Sequence, residues 1–484
     1  MQISSSARTS AVRSGVVTGL STVAVSGASA IAGALLSRRF GHGALTDGFF
    51  AAYGVYIVVV LVASALRVVV LPRLARAALA GSIDRELGAW AIALLLVLGP
   101  VCAVAVLLPH EVASLLTSDP GARESAAALL PWLVLAAGAQ VVAGLLASAL
   151  AALDDYGTAA VGFGLGAIAG IAAIAALASR GIDAFGIGLA LNGAIAVAVP
   201  TLGLIRRGVR PAVDRGALGR LAAVAVGVAV PAALQGLYVI GYRVSGGLGV
   251  GEPTTFSYAY LIASLLVAVT ATSIALISSV PLTRGELSAE RIRRHVVASS
   301  WLSLALIGAA GGVMALAGAR IARLALGSSY GGSTGNELGD LVAYFAPWTV
   351  ASVALSVAFP LLFVRGRAAW LPLLAVLALV VHVPVEWAGR ELFGLPGIAV
   401  GMAVTTGVML CVLLAALGSL GPSLIGIVHA GVFFGGLAGL CFGGVGLVLG
   451  GIPAAAAGFV LYVGALAVIR PRGLGSAISY LRTL

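Results

Sequence analysis

Among 484 residues there is not one lysine, so all 28 basic residues are arginine. Without lysine there is no Walker-type amine to hold nucleotide phosphates and no Schiff-base nucleophile, which argues against an intrinsic ATPase or an imine-forming enzyme. Charged residues make up only 9% of the chain, against about 25% in a soluble domain. Histidine is scarce too: His42, His110, His295, His382 and His429 sit on different segments, with no His-Glu-x-x-His pair and no cysteine–histidine spacing. No metal site, cofactor or enzymatic activity is therefore expected. Cys102, Cys411 and Cys441 all fall in apolar runs, where they make no disulfide framework and behave as small buried side chains.

What is present is hydrophobic: 61% of residues are apolar and the mean hydropathy is +1.12. Lipid must be the solvent for most of such a chain. Runs of about 20 apolar residues cross a hydrocarbon core of about 30 Å, and about fourteen are discernible. They lie near 14–36, 48–71, 87–108, 126–151, 157–178, 182–205, 218–242, 254–280, 296–319, 339–363, 368–389, 395–420, 423–445 and 448–469. The expected fold class is an all-α integral membrane protein.

The net charge of +11 does not mark a nucleic-acid binder, because the arginines stand in short loops between spans. They follow the orientation rule of membrane proteins. With the N-terminus in the cytoplasm, 19 of the 28 arginines fall in cytoplasmic segments, 8 in external ones, and Arg67 lies within a span. A multi-pass protein of the cytoplasmic membrane with both termini cytoplasmic is expected. Arg8 and Arg13 ahead of an apolar run containing Ala28-Ser29-Ala30 imitate a secretory signal, but its removal would leave an odd number of spans and break the repeat described next.

The arginine-rich connection Arg206 to Arg220, holding Pro211, divides the chain into comparable halves that match at an offset of roughly 210 residues. The second span reads Asp47-Gly48-Phe49-Phe50-Ala51-Ala52-Tyr53 and ends at Pro72 before Arg73; the eighth reads Thr255-Phe256-Ser257-Tyr258-Ala259-Tyr260 and ends at Pro281 before Arg284. Pro131-Trp132 opens the fourth as Pro347-Trp348 opens the tenth, and Gly186-Ile187 opens the sixth as Gly397-Ile398 opens the twelfth. The expected organisation is a six-span lobe over 1–212, a second over 213–421, and a terminal pair with a cytoplasmic tail over 422–484. Six is even, so both copies enter from the same side, the parallel repeat of alternating-access carriers with a substrate path between the lobes.

Ser14, Thr18, Thr22, Ser26 and Ser29 recur on one face of the first span, and Gly227, Pro231, Gln235, Tyr238 and Tyr242 on one face of the seventh. Such stripes permit close helix packing, and their equivalent places also suit two walls of a cavity, with Pro231 kinking or breaking its helix as a gate. Gly162, Gly166 and Gly170 read as packing alone. An ionisable group within a membrane span costs ~2.5–3.5 kcal/mol on insertion scales, so Arg67 is either a cationic cavity residue or a snorkelling one. Asp47, Arg38, Arg39 and His42 surround the external turn of the first repeat, and Arg243 and Glu252 the equivalent turn of the second; they are either a gate or ordinary loop solvation. His382 and Glu386 form an i,i+4 pair placed near the outer surface, where a stabilising surface pair is the plainer reading.

Residues 40–53, Phe-Gly-His-Gly-Ala-Leu-Thr-Asp-Gly-Phe-Phe-Ala-Ala-Tyr, resemble the opening of the MviN/MurJ-type lipid II flippases of the multidrug/oligosaccharidyl-lipid/polysaccharide (MOP) exporter superfamily, which share a Phe-Gly-x-Gly-x-x-Thr-Asp-x-Phe-Phe stretch. Pro72, Pro281, the paired lobes and the extra spans fit the same family over essentially the whole chain. The resemblance implies a flippase for a polyprenyl-linked saccharide, with Asp47 matching a functional acid. The chain departs from the family where cavity arginines are expected: Ser26 and Ala32 stand in the first span and Tyr260 in the eighth. Phosphate contact then falls to Arg67 and Arg243, with Tyr53, Gln235, Tyr238, Tyr260 and Ser26 lining the cavity and Asp47, Arg38, Arg39 and Glu252 forming a gate. The expected partners are a lipid-linked saccharide, membrane lipids and envelope-biosynthesis proteins, not nucleic acid. A cation-coupled multidrug exporter and a non-transporting scaffold for envelope enzymes are the alternatives.

Overall fold

A computed structural model describes residues 25, 27–213, 216–283 and 288–483, apart from the side chains of 61–68, 218, 269–283, 364 and 481–483. Every regular element among them is helical. In chain order these are α1 (27–40), α2 (Ala44–Leu79), α3 (Ile83–Leu107), α4 (Pro109–Leu116), α5 (Pro120–Ala152), α6 (Tyr156–Ala176), α7 (Asp183–Arg206), α8 (Ala217–Ser245) and α9 (Glu252–Thr283). There follow α10 (Ala289–Leu326), α11 (Ser333–Tyr344), α12 (Ala346–Val364), α13 (Leu371–Phe393), α14 (Leu395–Ala416) and α15 (Leu420–Ala438). The last of these runs through a π turn (Gly439–Gly443) into α16 (Gly444–Gly446), before α17 (Gly451–Ile469) and α18 (Arg472–Thr483).

Eleven helices among the described residues are long and apolar enough to cross a membrane, and they coincide with the third to seventh and ninth to fourteenth expected spans. The second and eighth fall on α2 and α9, of 36 and 32 residues. The first expected span, 14–36, lies largely outside the described residues. The chain is a multi-pass membrane protein.

Local sequence explains where the helices begin and turn. Asp119 caps α5 by accepting from the Ala122 N–H at 2.8 Å, and Pro120 fills the first position, where its missing N–H costs nothing. That start lies eleven residues ahead of Pro131, which therefore sits inside α5 rather than opening it. Pro347, by contrast, does stand in the first turn of α12. α8 continues through Pro231 without interruption, so the expected break is absent. Between α13 and α14, Gly394 adopts φ 64°, a left-handed conformation open to glycine at little cost, and the two helices return side by side.

The chain separates into two compact units, Met1–Val239 and Ile240–Leu484. In the first, α5 is the central helix, with 72% of its apolar window buried, packed by α2, α3, α4 and α7. Missing side chains set the closeness: a Cβ on Gly48 of α2 would lie 2.4 Å from the Ala122 carbonyl, and one on Gly193 of α7 would lie 2.9 Å from the Ala139 methyl of α5. Gly166 and Gly170 of α6 meet the Asn192 and Gly188 carbonyls of α7 in the same way, so this stripe does serve packing.

In the second unit α12 and α14 each have 56% of their apolar window enclosed, the largest share among that unit's candidate spans in the described residues. Gly318 of α10 lies against Gly339 of α11, and Gly389 of α13 against Gly397 of α14. α4 and α11 are short helices at the same point of each half, between the third and fourth and between the ninth and tenth spans, a correspondence that adds to the sequence repeat.

Candidate functional site

In the first unit the Phe-Gly-x-Gly-x-x-Thr-Asp-x-Phe-Phe segment folds as a turn and the first two turns of α2. Thr46 Oγ1 donates to the Gly41 carbonyl at 3.0 Å, and Asp47 takes a first-turn position, where the helix dipole favours a carboxylate. Asp47 is only 2% exposed, held beside the α2–α5 crossing at Gly48, where Ser125 Oγ donates to the Leu45 carbonyl at 3.2 Å.

Helical spacing then places Phe49, Tyr53 and Tyr56 on one face. Their rings stack, with centroids 5.4 and 5.3 Å apart and planes 16° from parallel. Phe185 of α7 closes the column edge-on to Phe49 at 5.9 Å. Tyr238 of α8 is buried against Gly54 of α2, and Gln235, one turn earlier, is half-buried. Tyr53, Gln235 and Tyr238 thus belong to neighbouring stretches of α2 and α8 in the same unit. Arg38 and Arg39 are exposed beside a cavity of about 190 Å³ that includes Phe185 and Gly181, and the Arg39 guanidinium lies 5.8 Å from the Phe40 ring centroid. Ser26 and the side chain of Arg67 lie outside the described residues.

The cytoplasm-facing loops of the topology expected from the arginines hold a compact ionic cluster of the first unit. Asp84 accepts from the Arg210 N–H at 3.0 Å through its side chain and from the Ala212 N–H at 2.9 Å through its carbonyl. Glu86 accepts from Arg220 at 2.6 Å and from the Trp90 indole N–H at 2.9 Å. A Cβ on Gly88 would overlap the Ala212 carbonyl, so the long connection lies flat on α3. Asp155 caps α6 and pairs with Arg207 at 2.9 Å. Partial burial pushes its carboxyl up, but hydrogen bonds from Thr158 and Arg207 outweigh this and hold it below the usual carboxylate range.

In the second unit Arg243 is exposed in the last turn of α8, and Glu252 stands in the first turn of α9. The expected gate residues therefore divide between the units: Asp47, Arg38 and Arg39 in the first, Arg243 and Glu252 in the second. Tyr260 is 1% exposed and packs on Trp348 and Phe345, with centroids 5.1 and 6.2 Å away.

Two features of the second unit were not anticipated. The first is a cavity of about 820 Å³ bounded by α10, α12, α14 and α15. Its walls carry Gly311, Gly407, Gly431, Gly435, Gly439 and Gly443, and a Cβ built on any of these six would meet nothing within 4 Å. Four of them recur every fourth residue along α15 and its π turn, a spacing visible in the sequence. Unlike the α6 stripe, these glycines bring no helix closer; they leave space. The π turn rotates Phe442 inward, where its ring fills the notch beside Gly312 and Gly458.

The second concerns His382 and Glu386. They are not a surface pair: both side chains are 0% exposed. His382 Nε2 lies 3.0 Å from Glu386 Oε1, and its Nδ1 lies 2.8 Å from Thr405 Oγ1 of α14. Glu386 faces Gly401, where a Cβ would come 2.9 Å from Oε1. Periodicity alone could not reveal this, because it is the outward residues of α13, such as Val380, Val383 and Trp387, that are exposed. Arg390 and Glu391 follow within about one more turn of α13, so the pair is buried between α13 and α14 near one end of a candidate span.

No family model matches the chain, and no curated protein does. Solved structures do. The chain is similar to a lipid II flippase MurJ in an inward closed conformation, with a TM-score of 0.73 at 12% identity, covering 95% of this chain and 98% of that one. It is similar to a multidrug resistance MATE family transporter of the MOP superfamily in its inward-facing conformation, with a TM-score of 0.60 at 13% identity over 84% of this chain and 94% of that one. The outward-facing conformation of such a transporter gives a TM-score of 0.58 at 14% identity over 87% and 95%. The chain has the fold of MOP-superfamily transporters.

Proposed function

We propose that this protein is a carrier that flips an anionic polyprenyl-linked saccharide, such as a cell-envelope precursor, across the cytoplasmic membrane by alternating access. The observation that carries the substrate class is the glycine-lined cavity of the second unit, about 820 Å³ and walled by apolar residues. It is of ligand-site size, in the range of roughly 300–1,000 Å³. An apolar chain leaving lipid for this space gains little hydrophobic free energy, because the bilayer interior is equally apolar. The cavity therefore provides a track for a tail, and affinity must come from the polar end.

In this reading Arg67 and Arg243 contact the lipid's phosphate, while Ser26, Tyr53, Gln235, Tyr238 and Tyr260 line the path of the saccharide. Asp47, Arg38, Arg39 and Glu252 close the external mouth. Residues 1–212 and 213–421 act as the two moving lobes, 422–484 carry the tail side, both termini are cytoplasmic, and envelope-biosynthesis proteins supply the substrate. The fold shared with a lipid II flippase supports a lipid cargo.

The buried His382–Glu386 pair supports a second reading, in which a related carrier exports a different amphiphile coupled to cation uptake, since ionisable groups within spans commonly serve such coupling. Native mass spectrometry of the purified protein separates the two. A retained polyprenyl-phosphate species that is lost in Arg67→Gln/Arg243→Gln is the expected result; protein that carries only bulk phospholipid would refute the lipid-linked substrate.

A further inference from the structure

The C-terminal segment is more than a tail. From Gly451 to Leu484 the chain has no acidic residue, and it carries Arg470, Arg472 and Arg482. After α17, Arg470 adopts φ 43° and the chain turns at Pro471 into α18, which packs on α10. Gly473 fits flush on the Trp301 indole, where a Cβ would come within 2.3 Å of the ring, and Ala477 is 1% exposed. At the far end of the contact Tyr480 Oη lies 3.3 Å from His295 Nδ1. Along the seam between the two helices runs an open surface groove of about 580 Å³ lined by Arg294, Arg472, Gly475, Ser476, Ser479 and Tyr480.

We infer that this groove binds the phosphodiester headgroup of an anionic phospholipid. The lining unites two guanidinium groups, which match phosphate geometry, with the hydroxyls of Ser476 and Ser479, able to donate to its oxygens; the Tyr480 hydroxyl is engaged with His295. The positive charge is partly compensated, at Arg294 alone. Glu290 is held by Arg293 at 2.8 and 2.5 Å and stands 3.7 Å from Arg294. Among the described residues no carboxylate forms an ion pair with Arg472. Burial pushes the Tyr480 phenol up, while the charges of Arg291 and Arg294 act on it in the opposite sense, so the arginine field reaches across the groove.

Position favours a lipid over a free anion. α18 follows directly on the 19-residue apolar α17, whose last residues, Val468 and Ile469, are exposed. The groove thus lies at the level where a span leaves hydrocarbon and headgroups begin. Basic pockets at this level attract anionic headgroups.

The experiment titrates the purified full-length protein with short-chain phosphatidylglycerol, with phosphatidylcholine of the same chain length, and with inorganic phosphate. Retained adducts are counted by native mass spectrometry, and protection of α18 is followed by hydrogen exchange. Wild type is expected to retain phosphatidylglycerol over phosphatidylcholine and to protect α18. Arg294→Gln/Arg472→Gln should bind phosphatidylglycerol at least tenfold more weakly, and Arg294→Lys/Arg472→Lys should lose part of that preference. If the double variant does not fold, the exposed single change Arg472→Gln carries the test. Equal phosphatidylglycerol retention by wild type and variant, or no preference over phosphatidylcholine, would overturn the inference. Equal protection by inorganic phosphate would overturn the lipid assignment. None of these readouts involves transport, so they stand or fall separately from the proposed carrier function.

Discussion

Filling the glycine-lined cavity should separate stability from transport. At Gly435 and Gly439, on successive turns of the α15 and π-turn stretch, a Cβ meets nothing within 4 Å. The variant Gly435→Ala/Gly439→Ala therefore clashes with nothing, and replacing helical glycine by alanine favours the helix by up to about 1 kcal/mol per site. Gly435→Leu/Gly439→Leu keeps most of that preference but places two branched side chains in the space assigned to the tail. The expected outcome is a thermal midpoint equal to or above wild type for both pairs, with flipping of a fluorescent polyprenyl-diphosphate saccharide in proteoliposomes near normal for the alanines. For the leucines the rate should fall at least tenfold, which corresponds to about 1.4 kcal/mol. Gly312→Leu is the contrasting control: its Cβ would lie 2.2 Å from the Phe442 ring, so displacing that ring should cost about 1–3 kcal/mol of stability. If the leucine pair flips substrate at the wild-type rate while folding normally, the cavity is not the tail's seat.

Three further outcomes follow from side-chain geometry. His382→Ala removes the group 3.0 Å from the buried Glu386 carboxyl and leaves Thr405 Oγ1 without its imidazole contact, which should cost about 1–3 kcal/mol; adding Glu386→Gln should change this cost measurably in a thermal double-mutant cycle. Because the Asp155 carboxyl is held below its ordinary range, its contribution is present above the unfolded value near pH 3.8 and is lost as pH falls through the folded one. Asp155→Asn should therefore lower the unfolding midpoint at neutral pH and converge with wild type in acid, by less than about 1 kcal/mol since Arg207 is 44% exposed. Glu86→Gln keeps an acceptor for Trp90 but removes the charge that pairs with Arg220, so it should destabilise by up to about 1 kcal/mol and raise protease sensitivity at 206–213.

Helices were the legible part of the sequence because lipid demands about 20 consecutive apolar residues, and that signal survives in spans as different as α3 and α17. Helix ends were less legible: α5 begins at Pro120, not near Pro131, because a cap at Asp119 extends it beyond the apolar run. The short α4 and α11 and the amphipathic α18 carry too few apolar residues to register as spans. Faces were hardest to assign. Gly166 and Gly435 look alike in sequence, yet one touches a neighbouring carbonyl and the other borders empty space. His382 and Glu386 likewise read as a surface pair until α14 is seen to cover them. The Asp47 motif at the start of α2 carried the family resemblance, and the fold agrees with it, while the phosphate-contacting roles of Arg67 and Arg243 rest on sequence alone.

The most direct test of the central claim is translocation by the purified full-length protein in sealed vesicles of defined lipids. A polyprenyl-diphosphate-linked saccharide bearing a fluorophore that can be quenched from outside would report the exchange. The account predicts exchange well above protein-free vesicles, slowed at least tenfold in Asp47→Ala and in Arg67→Ala. Exchange no faster than in protein-free vesicles, or unchanged in both variants, would contradict it.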